Sequence, residues 1–146
     1  MKHSDMRIYT IGFSGKKQDA FMEILSAAGV RALIDVRLWC AARFVPWANG
    51  TNLAATLGDK YRYMPEFAPT KELLTAYKEG KIDWPEYERI FNDLLAERQV
   101  EKLFATAADL DDVCFLCAEK SADQCHRHLV VEYLISYFPD IKAEHL

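Results

Sequence analysis

The run Val113-Cys114-Phe115-Leu116-Cys117 is apolar at every position and too short for a helix, so it reads as a β-strand with both faces buried. Strands of that kind belong to parallel sheets, whose helical crossovers cover the two sides. After Cys117 the chain turns polar through Ala118-Glu119-Lys120, and then a helical pattern resumes. Ser121 with Gln124 matches a capping box, which predicts the helix start at Ser121 and a helix running to about Phe138, where Pro139 stops it. A buried strand ending in a carboxylate, with Cys125-His126-Arg127 entering the next helix, gathers reactive groups in one small volume. In a parallel α/β sheet that volume is the crevice beyond the carboxyl ends of the strands, where ligands bind.

The rest of the chain supplies the matching units. Ile8–Ile11 reads as a first strand, followed by a helix over Gln18–Ala28 with Phe21, Ile24, Leu25 and Ala28 on one face and Gly29 as its stop. Val30–Arg37 reads as a second strand, almost continuously apolar. Together these make a right-handed βαβ unit. Leu38–Asn52 is a long irregular segment, and Thr51 or Asn52 is placed to cap a short helix through Leu57. Tyr61–Pro65 alternates like an edge strand, and Lys71–Lys78 is helical. Asp83 with Glu86 forms a second capping box, with Pro85 just inside, opening an amphipathic helix. Val100–Ala108 continues as helix, and Ile141–Leu146 alternates as a last strand. The expected fold is a three-layer, Rossmann-like α/β domain spanning residues 1–146, with a mostly parallel sheet of about five strands.

Composition narrows the class. With 146 residues, 51% of them apolar, the chain suits one ordinary globular core. Its net charge of -4 gives no global basic field for nucleic acid, so any anion site must be local. No signal-like or membrane-length apolar segment is present, which points to the cytoplasm and to thiols at Cys40, Cys114, Cys117 and Cys125. Cys117, Cys125, His126 and His128 lack the paired spacing of a structural zinc site, so neither metal nor cofactor is expected. The oligomeric state is not legible.

Four motifs in order carry a family resemblance: Thr10-Ile11-Gly12-x-Ser14, Asp35-Val36-Arg37 with Arg43 following, Cys117-Ala118-Glu119, and Cys125-His126-Arg127. Together they resemble the family catalogued as domain of unknown function 488, over nearly the whole chain. The sequence departs from that pattern at Phe13, where His or Tyr is usual, and at Leu38-Trp39-Cys40, which lacks a proline. Phe67-Ala68-Pro69 stands where a Leu-Gly-Gly turn is usual, and Ser121-Ala122 replaces an Asp-Pro pair. The resemblance implies the fold and the position of the site, and no particular reaction.

Glu119, at a strand end, is the first candidate for a general base or nucleophile, with Asp35 or Cys125 as its companion. Arg37, Arg43 and Arg127 form a candidate guanidinium cluster for a phosphate or carboxylate. Gly12, Ser14, Cys117 and His126 are read as supporting the site, His126 by tying the strand-end turn to the helix. Trp39, Phe44 and Trp47 read as a hydrophobic flap over the sheet edge, or as a platform for a base. The leading reading is an enzyme acting on a phosphate-bearing small molecule, a nucleotide or a nucleic-acid end. A non-catalytic anion-binding or sensor module and a thiol-redox protein, with Cys125 the more reactive thiol, are the alternatives.

Overall fold

The computed structural model describes residues 6–42, 44–106, 112–118 and 125–146. Strands β1 (Arg7–Gly12), β2 (Ala32–Asp35), β3 (Tyr61–Tyr63), β4 (Val113–Cys117) and β5 (Lys142–His145) form one sheet in the order β3-β2-β4-β1-β5. Every pairing is parallel. Among the described residues six helices accompany it: α1 (Gln18–Ala28), α2 (Gly50–Leu57), α3 (Lys71–Lys78), α4 (Trp84–Arg98), α5 (Val100–Thr106) and α6 (His126–Tyr137). None is long and apolar enough to cross a membrane.

Strand alternation sorts the core into two layers. Ile8, Ile34, Phe115 and Cys117 pack with the helices α4, α5 and α6 on one face. Tyr9, Ile11, Leu33 and Leu116 pack with Phe21 and Leu25 of α1 and Leu53 of α2 on the other. The central β4 is wholly buried, as its uniform apolarity requires. β1 and β4 lie side by side, yet the chain leaves them toward opposite faces. Their carboxyl ends therefore bound a crevice.

Local signals set most boundaries. Gly29, at φ +74°, closes α1 by donating its N–H to the carbonyls of Leu25 and Ser26. Asp83 caps α4 by accepting the Glu86 N–H at 3.0 Å, and Thr70 caps α3 through Leu73 N.

Several boundaries differ from the sequence expectation, β3 ending at Tyr63 and β2 starting at Ala32 among them, and three have a visible local cause. β2 ends at Asp35 rather than Arg37, because the Asp35 carboxylate takes the Arg37 N–H off the ladder at 3.1 Å. α2 starts at Gly50, with Asn49 at its N-cap instead of Thr51 or Asn52, and the Asn49 side chain accepts the Ala42 N–H across the loop. α6 starts at His126, with Cys125 extended at its N-cap (φ -124°, ψ 140°), so Ser121 does not begin it. The Ser121–Gln124 pair itself lies outside the described residues.

Candidate functional site

Backbone hydrogen bonds continue beyond the strands and lock their carboxyl ends together. Phe13 N donates to Cys117 O at 3.3 Å and Ser14 N to Ala118 O at 3.0 Å. On the other side Val36 N donates to Leu116 O at 3.1 Å and Met64 N to Asp35 O at 2.9 Å. Phe13 and Ser14 thus fasten the first loop to the end of β4. Lys16 adds a bond from its ammonium to Gly12 O at 2.8 Å.

Asp35 is fully buried and its two carboxylate oxygens are fully engaged. Oδ1 accepts from Arg37 Nε at 2.8 Å, and Oδ2 accepts from Arg37 Nη2 and from the Tyr61 hydroxyl, both at 2.6 Å. Burial and this bond push the Tyr61 phenol up, so it stays a donor. Arg37 Nη2 also reaches the Ala48 carbonyl at 2.8 Å, anchoring the turn before α2. Burial works against the Arg37 charge, and the hydrogen bonds and charge of Asp35 outweigh it, raising its pKa above the usual value. The guanidinium carbon stands 5.3 Å from the centroid of the Phe13 ring, a cation–π distance. One nitrogen is left over. Arg37 Nη1 is buried and has no hydrogen-bond partner among the described residues.

Arg37 belongs to the wall of a cleft of about 210 Å³ beyond the strand ends. Phe13, Cys117 and Ala118 contribute from the ends of β1 and β4, and Cys125 and His126 from the start of α6. Leu38 and Trp39 close it from the loop after β2, and Pro69, Leu74 and Lys78 from α3 and the turn before it. Trp39 is 57% exposed at this rim, while Trp47 packs inward against Phe21 at 4.9 Å between centroids. The flap expected from Trp39, Phe44 and Trp47 therefore divides into a core anchor and two solvent-facing rings, Phe44 being 87% exposed.

Through Cys117 and Cys125 a sulfur–guanidinium cluster forms part of the cleft wall. Arg127 is 1% exposed, and it donates from Nε to the Thr10 hydroxyl at 3.2 Å and from Nη1 to Cys117 Sγ at 3.0 Å. Cys117 Sγ lies 2.7 Å from Cys125 Sγ. The hydrogen bond with Cys117, then burial, pushes the Cys125 thiol far up. His126 Nε2 donates to the Val36 carbonyl at 2.6 Å, and burial brings its pKa down to about 4, leaving a neutral ring. Cys114 sits on the opposite face of β4, where burial pushes its thiol up.

Of the residues expected at the site, Arg37, Cys117, Cys125 and His126 line one cleft. Asp35 and Arg127 stand behind it, occupied in holding Arg37 and Cys117. Arg43 and Glu119 lie outside the described residues. Tyr61, Ala48 and the α3 wall are added by the structure. Each meets the site only through tertiary packing, and no local pattern in the sequence marks it.

Comparison with known families decides the affiliation. A model of the family described as Domain of unknown function DUF488 matches residues 17–134. The chain belongs to that family. No curated protein and no solved structure matches it.

Proposed function

We propose that this DUF488 protein binds a small phosphate- or carboxylate-bearing molecule in the strand-end cleft, with Arg37 Nη1 as the group that holds the anion. The observation that carries this reading is the unpartnered, buried Nη1 of a side chain in the cleft wall. A buried donor without an acceptor costs about 1–3 kcal/mol, and an anionic oxygen repays it with a charge-assisted bond. Asp35 clamps the other edge of the guanidinium, so the group is pre-aimed and a ligand has little ordering to supply. Lys78 at the rim adds positive charge, and the exposed Trp39 ring offers a flat face to an organic body. The cavity is smaller than the roughly 300–1,000 Å³ usual for drug-sized ligands, which favours a compact molecule or the phosphate end of a nucleotide.

In this reading the protein is an enzyme. Glu119, the residue after cleft-lining Ala118 in the chain, supplies the base of a hydrolytic step. Asp35 and Arg127 are positioning residues.

The test titrates the protein with inorganic phosphate, adenosine monophosphate and short carboxylates, and follows amide shifts. The expected ligand perturbs Phe13, Trp39 and Cys117. Arg37→Lys, which keeps a charge beside Asp35 but loses the fork, weakens binding about tenfold or more while the circular dichroism is unchanged. Equal affinity in that variant, or perturbations confined to another face, overturns the anion site. Full turnover by Glu119→Gln on a substrate so found removes the role given to Glu119.

A further inference from the structure

Cys117 and Cys125 lie in the wall of the same cleft, with sulfurs 2.7 Å apart, and Arg127 aims a guanidinium N–H at only one of them within 3.0 Å. That pattern assigns unequal roles. Arg127 has no acceptor capacity, so Cys117 Sγ must accept from it. The charged guanidinium N–H on Cys117 favours negative charge there more strongly than the Arg127 backbone N–H does at Cys125, which makes Cys117 the nucleophile of the pair and Cys125 the proton-bearing partner. The upward displacement of the Cys125 thiol, caused first by its bond to Cys117, agrees with this division.

We infer that Cys117 and Cys125 form a thiol–disulfide exchange centre that reduces small-molecule disulfides entering the cleft, with Cys117 the attacking thiolate and Cys125 the resolving thiol. In the first step Cys117 Sγ attacks one sulfur of R–S–S–R. The Cys117–S–R bond forms, the S–S bond of the small molecule breaks, and the departing RS⁻ takes a proton. In the second step Cys125 loses its proton and attacks Cys117 Sγ. The Cys117–Cys125 disulfide forms and the second R–S leaves as a thiol. Two protein thiols are oxidised and one disulfide is reduced to two thiols, so electrons and protons balance.

This centre needs no anion at Arg37, and two probes keep the two readings apart. Hydroxyethyl disulfide is neutral and tests the thiols alone, while oxidised glutathione carries carboxylates and also tests the Arg37 cleft. With either probe, peptide mass mapping of the unaltered protein is expected to show a Cys117–Cys125 disulfide before any change at Cys40 or Cys114. Cys125→Ala is expected to trap the mixed disulfide on Cys117, at about tenfold or more the rate of modification at half-buried Cys40. Cys117→Ser, which keeps an acceptor for Arg127, is expected to trap none above that background. A faster reaction of the anionic probe that Arg37→Lys abolishes supports the anion cleft, and equal rates for the two probes count against that cleft only. Trapping on Cys125 in Cys117→Ser, with none on Cys117 in Cys125→Ala, reverses the roles and overturns the assignment. Modification of Cys40 alone in the unaltered protein overturns the centre.

Discussion

Asp35 shows how much of the site rests on single atoms. It is a buried carboxylate bonded by Arg37 from its own strand end and by Tyr61 from the next strand. Tyr61→Phe removes one donor and leaves Oδ2 underpaired, and the expected loss is about 1–3 kcal/mol in urea unfolding. Gly50 is constrained by the same corner. A Cβ there would meet the Tyr61 hydroxyl at 2.7 Å and Cys40 Sγ at 2.9 Å. Gly50→Ala must push Tyr61 away from Asp35, and we expect a destabilisation of about 1–3 kcal/mol by the same measurement. The Asp35–Arg37 contact is legible in the sequence, because residues two apart on an extended chain share a face. Tyr61 is not. It reads only as one residue of an alternating strand, and the register that sets it opposite Leu33 decides its partner. Likewise nothing local distinguishes Arg37, which lines the cleft, from Arg127, whose guanidinium bonds Thr10 and Cys117.

At the scale of elements, helix α6 carries the clearest pH signature. Unfolded, His126 titrates near 6.5, and in the fold its pKa falls to about 4 through burial, with the Arg127 charge acting in the same direction. Between these values the unfolded chain takes up a proton that the folded one refuses, so stability falls as pH drops from about 6.5 to 4 and is fully present above that window. The loss amounts to about 3 kcal/mol at most. His126→Gln, which retains an N–H for the Val36 carbonyl, is expected to flatten this part of the stability–pH curve in urea titrations. An unchanged slope would exclude His126 as its source. The start of α6 is also where local pattern and tertiary contact part company. Ser121 with Gln124 has the chemistry of a cap, yet Cys125 is extended and its sulfur is drawn to Cys117 on β4. By contrast Asp83, at an exposed helix start, caps α4 by accepting the Glu86 N–H as the spacing predicts, while the Glu86 carboxylate pairs with Arg89 instead of reaching back.

For the whole molecule, the parallel sheet follows from two facts of the sequence: apolar runs buried on both faces, and helices between them long enough to cross over. Those facts also place a crevice at the strand ends. They do not say which helix closes it. The wall formed by Pro69, Leu74 and Lys78 comes from the long excursion between β3 and β4, and only the strand order β3-β2-β4-β1-β5 brings it over Arg37 and Cys117. The same order makes the cleft a product of global folding. Destabilising variants such as Gly50→Ala are therefore expected to weaken ligand binding in proportion to the folded fraction. In the proposed site Arg37 Nη1 is an anion donor held ready by Asp35. A crystal structure of the protein grown with inorganic phosphate tests it most directly. An anion is expected within hydrogen-bond reach of Nη1, between Phe13 and the cysteine pair, and an empty cleft with Nη1 bonded to a backbone carbonyl of the protein would refute the anion site.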